Sequence, residues 1–287
     1  MSRAIDHLVI PSRDLAAQAD LYRRLGFQVG PRNRHPWGTE NHIAQFDCAF
    51  LELIGLGERF AAPPSAPGEF SFAGFVAEFL ARREGLAMLV LRSSDAEADR
   101  REFAAGGLGD FARFDFARKA ARPDGGSVDV AFSLAFAHCG ALPETGFFVC
   151  QQHFPENFWN RQAQVHPNGA SAISGVVIVH DAPEEALDFL SAFVDAPPRT
   201  LEDGYALGSI ECLTRVGLSR RFGVGGPSVE RGLAAVRIGV ADIAKTADSI
   251  AAGGASFARR DGMLIVDGRD AMGALLVFEP RAARPNA

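Results

Sequence analysis

His7 sits in the opening stretch IDHLVIPS, which is otherwise apolar but for Asp6 and Ser12 and reads as a strand. Glu52 is placed in the same way in AFLELIG, where alternation puts Phe50, Glu52 and Ile54 on one face and Leu51 and Leu53 on the other. A carboxylate with so many apolar neighbours costs several kcal/mol if buried without a partner, so it calls for a cation, a hydrogen bond or open solvent. A strand imidazole and a strand carboxylate together suit a borderline divalent ion, Zn²⁺, Ni²⁺, Mn²⁺ or Fe²⁺. Glu52 serves alternatively as a catalytic base that carries a proton.

Two further segments gather polar groups with aromatic rings. RHPWGTEN (residues 34–41) reads as a loop leading into a strand: Trp37 offers a flat wall, His35 an imidazole, and Asn41 both a donor and an acceptor. FFVCQQHFPENFWNRQAQVHPNGA adds Gln151, His153, His166 and Asn168 as polar points beside Phe158 and Trp159. Apolar walls with a few placed polar groups describe a small-molecule pocket, and they equally describe a seam between domains. Elsewhere there is no dinucleotide-binding glycine fingerprint, no phosphate loop, no nucleophile elbow and no H-E-x-x-H helix, so no nucleotide cofactor is expected.

The elements that position these residues recur along the chain. A strand, a helix and further strands begin at IDHLVIPS, GLAMLVLRSS, ISGVVIVHD and AAVRIGVAD, with the helices DLAAQADLYRRLG, DAEADRREFAAGG, APEEALDFLSAFV and IAKTADSIAAGG following. In the first copy Leu15, Ala19, Tyr22 and Leu25 share a helix face, and FQVG, HIAQFD and AFLELIG follow as strands. Each unit buries one face, so the units must pair. The pattern predicts an α+β fold of four βαβββ modules, with an N-terminal domain over residues 1–160 and a C-terminal domain over 161–287.

The repeat, the opening DHLVIPSRDL, the RRLGF after the first helix and the FLELIG strand resemble the vicinal oxygen chelate superfamily, to which glyoxalase I and the extradiol dioxygenases belong. RHPWGTEN and the later HPNGA resemble two elements of its glyoxalase-like branch. The resemblance implies modules paired into two half-barrels, and a divalent metal held by an opening-strand His and a closing-strand Glu from each module. His7 and Glu52 fill those positions in the first module. The second module offers Ala87 or Met88 where the His would stand, and His153 restores an imidazole from another strand, with Gln151 as an oxygen ligand or substrate contact. In the second half Glu211 and Glu279 stand at the closing-strand positions, without histidines, and are read as solvated or salt-bridged strand ends. The implied activity is lyase or isomerase chemistry through an enediolate-like intermediate on a small oxygen-rich molecule, with ring-cleaving dioxygenase chemistry less favoured. The alternative is a metal-free sequestering protein, like the bleomycin-resistance members, that uses its aromatic walls.

Composition agrees with a soluble small-molecule protein. The 287 residues carry 29 Lys and Arg against 35 Asp and Glu, a formal charge of −6, with 47% hydrophobic residues. That leaves no basic stripe for a duplex and no apolar run long enough for a membrane span. The N-terminus lacks the apolar core of a signal peptide, and the four scattered cysteines form no framework, so the expected setting is cytoplasmic. The expected partners are a small-molecule substrate and, at most, a second copy of the chain.

Overall fold

Apolar residues at alternating positions build strands here, and capped one-sided stretches build the helices between them. The computed structural model describes residues 2–58, 60, 66, 68–121, 126–223 and 231–281. Its first half runs β1 (Ile5–Pro11), α1 (Leu15–Arg24), β2 (Asn33–Arg34), β3 (Thr39–Gln45), β4 (Phe50–Leu56), α2 (Phe72–Arg82), β5 (Met88–Arg92), α3 (Ala96–Ala105), β6 (Phe114–Ala121), β7 (Ser127–Ala137) and β8 (Gly146–Gln152). The second half follows a short helix, α4 (Pro155–Phe158), with β9 (Ala170–Val179), α5 (Leu187–Val194), β10 (Arg199–Leu201), β11 (Gly204–Leu207), β12 (Ile210–Leu213) and α6 (Arg215–Phe222). It closes with β13 (Gly232–Val240), α7 (Ile243–Ala252), β14 (Ala258–Arg260), β15 (Met263–Val266) and β16 (Leu275–Pro280).

The strands form two eight-stranded sheets of the same order, β2-β3-β4-β1-β5-β8-β7-β6 and β10-β11-β12-β9-β13-β16-β15-β14. Within each module the opening strand pairs in parallel with the closing strand, as β1 does with β4 and β5 with β8. Neighbouring modules then join antiparallel through their opening strands, β1 to β5 and β9 to β13. This is the expected α+β fold of paired βαβββ modules, with one sheet curled into a half-barrel. FQVG is not a strand; the second strand of module one is the two-residue β2. The polar stretch after α3, left without an element in the repeat reading, is β6. The Phe-rich stretch between the first two modules is α2, while residues 59, 61–65 and 67 lie outside the described residues.

Each sheet has two occupied faces. Leu8, Leu51, Phe46 and Phe147 of the first half share one hydrophobic cluster with Ile178, Phe193 and Phe278 of the second, so the halves pack through a common core. Phe27 stacks on Phe278 across it at 5.8 Å. The opposite face of the first sheet carries a separate cluster that includes Val9, Val90, Phe132 and Phe148, and there the polar residues of interest project. Among the described residues no helix is long and apolar enough to cross a membrane, and all four cysteines are free.

Candidate active site

The parallel pairing of β1 and β4 sets Val9 beside Glu52, which brings His7 and Glu52 to the same face one pleat apart. His7 Nε2 lies 3.8 Å from Glu52 Oε2. The His7 ring stacks on Phe50 at 4.3 Å, fixing its plane. Asp6 reaches the same ring because the register of β1 on β5 shifts between Ile5 and His7, and a residue at such a bulge leaves strict alternation. Asp6 Oδ1 is 2.6 Å from His7 Nδ1, and Gln152 Nε2 donates to Asp6 Oδ2 at 2.9 Å. The carboxylate accepts, so the shared proton is on Nδ1 and Nε2 is the nitrogen facing Glu52.

The second fixed group is the Glu52 carboxylate itself, which is 5% exposed. Asn41 on β3 donates from Nδ2 to Glu52 Oε1 at 2.5 Å, while its own Oδ1 accepts from Asn33 Nδ2 at 3.2 Å. The same Asn41 nitrogen is 3.3 Å from His35 Nε2, and His35 Nδ1 is 2.8 Å from Thr39 Oγ1. Burial holds the His35 imidazole below its usual pKa; the charge of Glu52 opposes this, and Arg118 and His7 add to it. A neutral His35 then accepts from Asn41 at Nε2. Its ring stacks on Trp37 at 4.6 Å and 14°. Glu52 Oε2 makes no hydrogen bond with a described residue.

These groups line a small cavity of about 50 Å³, walled by Phe50, Phe116, Phe132, Phe148 and Phe158. The structure thus gathers His7, His35, Trp37, Asn41 and Glu52 at one place. The other expected site residues fall elsewhere. Alternation along β8 holds, but the inward face carries Phe148, Cys150 and Gln152 rather than Gln151 and His153. Gln151 Oε1 accepts from Ala96 N at the start of α3, and His153 Nε2 meets Ser133 Oγ at 2.8 Å in an outer cluster with Asp115. His153 therefore does not join His7 and Glu52. Trp159 lines a neighbouring cleft and touches the cavity wall edge-on through Phe50 and Phe158.

His166 and Asn168 are committed to the seam between the halves. His166 Nδ1 accepts from Gln28 N and Nε2 donates to Gln45 O, both at 2.8 Å. Asn168 Nδ2 donates to Leu25 O and Oδ1 accepts from Ala170 N. Their polar atoms go to backbone partners, so the two residues expected to bind substrate lie in the seam, apart from the cavity that His7 and Glu52 line. Asp6, Gln152, Phe116 and Arg118 are the site residues that the sequence reading missed. The signal for the last two lies in FDFARKAA, where Phe114, Phe116 and Arg118 alternate along β6.

The donor set decides how far a metal fits. His7 Nε2 and Glu52 Oε2 face one another, and a carboxylate behind the imidazole is a common support for a ligating histidine. The second module contributes Val90 beside His7 and, at the cavity, the Cys150 thiol. Burial pushes that thiol well above its usual pKa, and the charges of Asp6 and Glu52 push it further. Among the described residues no group of three His, Cys, Asp or Glu side chains is arranged to hold a metal ion. The residues fit two positions of a divalent ion's shell and do not fit a centre with a His and a Glu from each module.

In the second sheet the corresponding place is filled by an arginine. Arg237 on β13 donates to Glu211 Oε1 at 3.0 Å and to both oxygens of Glu279 at 3.0 to 3.1 Å, and Arg221 and Ser174 complete the two carboxylates. The closing-strand glutamates of this half are salt-bridged.

The model of the glyoxalase-like domain matches residues 5–194, more than half of the chain. The chain belongs to the glyoxalase-like domain family. With it the chain falls in the vicinal oxygen chelate superfamily, and its paired modules agree with that. Among solved structures it is similar to a hypothetical protein from Staphylococcus aureus, at 13% identity and a TM-score of 0.66, over 98% of this chain and 100% of that one. It is also similar to a mutant 4-hydroxymandelate synthase from Streptomyces coelicolor, at 10% identity and a TM-score of 0.58, over 99% and 95%. A Mn(II)-bound glyoxalase from Novosphingobium aromaticivorans aligns at 12% identity and 0.56, over 97% and 82%. At these identities the likeness concerns the fold alone. No curated protein matches the chain.

Proposed function

We propose that this glyoxalase-like protein is an enzyme that moves a proton on the carbon beside a carbonyl group of a small organic molecule, with Glu52 as the base. One observation carries the reading. Glu52 is buried among aromatic rings with Oε1 tied to Asn41, while Oε2 makes no hydrogen bond with a described residue and faces His7 Nε2 across 3.8 Å. A base fixed at one oxygen and open at the other is positioned for transfer rather than for packing. His7 exchanges a proton with the substrate oxygen at Nε2, because Asp6 holds Nδ1 whatever the state of Nε2. The aromatic walls exclude water from the carbanion. Lyase and isomerase outcomes both follow from this step.

A divalent ion would be held by His7 Nε2 and Glu52 Oε2 in place of the proton roles given to those atoms, and would supply Lewis-acid polarisation of the substrate oxygen. Elemental mass spectrometry of untagged protein beside a His7→Ala/Glu52→Ala variant measures this directly: metal lost in the variant assigns the ion to that pair.

The proton reading is tested in D₂O with 2-oxobutanamide and 2-oxobutyrate, following deuterium entry at the methylene beside the ketone by NMR. The expected outcome is exchange by the wild type, reduced at least ~100-fold in Glu52→Gln. His7→Ala is also slowed. Undiminished exchange in both variants removes Glu52 and His7 from the chemistry. The apolar cavity, and the lack among the described residues of a second-module His and Glu at it, support a second reading, a sequestering protein. There Trp37→Ala weakens ligand binding while Glu52→Gln leaves it intact, and no exchange occurs with either compound.

A further inference from the structure

Arg118 has the chemistry of a receptor without a ligand. Its side chain, on β6, lines both the inner cavity of about 50 Å³ and a neighbouring cleft of about 500 Å³, which also share Ile43 and Phe158. The guanidinium makes no hydrogen bond or ion pair with any described residue. Its neighbour Lys119, turned to the other face, pairs with Asp129 at 2.7 Å, and Arg32 and Arg34 both pair with Glu40. Arg118 is only partly exposed, and burial holds it below the usual arginine range, with the charge of Glu52 opposing. A desolvated guanidinium without a partner is costly, and an anion removes that cost.

We propose that the substrate is a small organic carboxylate, whose carboxyl group is received by Arg118 while its carbonyl end reaches Glu52. This rests on the reading of Glu52 as the base and adds the substrate class to it. The cavity dimensions support the arrangement: the inner space of about 50 Å³ admits a head of a few heavy atoms, which leaves the rest of the molecule to Arg118 and the neighbouring cleft that it also lines. The cleft has the matching electrostatics. Asn33, Asn157, Asn160 and Arg161 line it, with Glu156 as its one carboxylate among the described residues. The planar two-pronged guanidinium fits a carboxylate edge to edge, which a lysine ammonium in the same place does not.

Trp37 lines the cavity and Trp159 the cleft, so tryptophan fluorescence reports occupancy of both. The probes are 2-oxobutyrate and its neutral twin 2-oxobutanamide, titrated into wild type, Arg118→Gln and Arg118→Lys, with circular dichroism confirming the fold of each variant. The expected result is acid binding at least tenfold tighter than amide binding in the wild type. Arg118→Gln loses ten- to a hundredfold of the acid affinity and none of the amide affinity, and Arg118→Lys falls between. Equal binding of acid and amide by the wild type, an acid affinity indifferent to Arg118→Gln, or no binding of the acid at all would each overturn the proposal. Deuterium exchange into the amide separates this failure from failure of the parent reading. Exchange that is lost in Glu52→Gln keeps the base assignment even when Arg118 proves irrelevant. Arg118-dependent acid binding without exchange in either probe supports the receptor and removes the base.

Discussion

Asn41 is the residue on which the state of the site turns, because its amide is the one hydrogen-bond donor that Glu52 has among the described side chains. A hydrogen bond to a charged group contributes about 1.5–3 kcal/mol, and losing it inside an apolar wall leaves the carboxylate desolvated and unsupported. Asn41→Ala is therefore expected to destabilise the fold by about that amount in urea denaturation. Asn41→Asp should be worse, since it sets a second carboxylate against Glu52. A loss in Asn41→Ala below about 0.5 kcal/mol, the ordinary range of a surface change, would mean that the amide is not what holds Glu52. His7 and Glu52 were legible in the sequence because each is a polar side chain in a largely apolar strand, and Asn41 because it stands in the polar and aromatic cluster RHPWGTEN. Asp6 and Gln152 were not, because their roles depend on a bulge and on the strand next door, neither of which a local pattern carries.

The elements that hold these residues were legible in type more than in orientation. Alternation along β8 separated Cys150 and Gln152 from Gln151 and His153, but alternation cannot say which set points inward. That choice is made by the neighbours: Phe148 is buried on the cavity face, and Gln151 is drawn out by the start of α3. β6 was missed because its outward positions hold Asp115 and Lys119, which give the whole stretch the composition of a loop. The RHPWGTEN segment leads into a strand as expected, through a tight turn between β2 and β3. His35 N bonds Thr39 O at 2.9 Å, and Thr39 to Gln45 are already strand. Gly38 takes φ +90° in that turn, and a Cβ there would stand 3.3 Å from Phe60. Gly38→Ala should cost about 1–2 kcal/mol from the backbone alone. It should also weaken ligand binding, since the strained turn carries both His35 and Trp37. Gly107→Ala is the control, with φ +72° and open space around it. It should lose stability with ligand affinity unchanged, and equal affinity losses in the two variants would detach the turn from the site.

At the scale of the whole molecule, the two halves have gone different ways on one plan. The second sheet keeps its closing-strand glutamates but satisfies them with Arg237, so it needs neither an ion nor a ligand to complete them. The repeat made this architecture legible from the sequence, whereas the use of HPNGA was not, because a turn that pins a seam and a turn that binds a ligand have the same residues. His166 joins the halves only while neutral: Nδ1 must accept from Gln28 N, and the ring lies 4.8 Å from Phe46 and 5.6 Å from Phe27. Burial lowers its pKa, with the Gln45 carbonyl opposing, and burial lowers His35 and His42 as well. The unfolded chain takes up protons on these rings near pH 6.5, before the folded chain does. Their contribution to stability is therefore complete above about pH 6.5 and declines as the pH falls through their lowered folded values, by at most about 1.4 kcal/mol per pH unit for each proton. Urea midpoints should thus drop between pH 7.5 and 5.5. His166→Gln, although less stable at pH 7.5, should lose less over that interval because one of the three titrating rings is gone. Equal losses in the two proteins would place the acid sensitivity at His35 and His42 and leave the seam out of it.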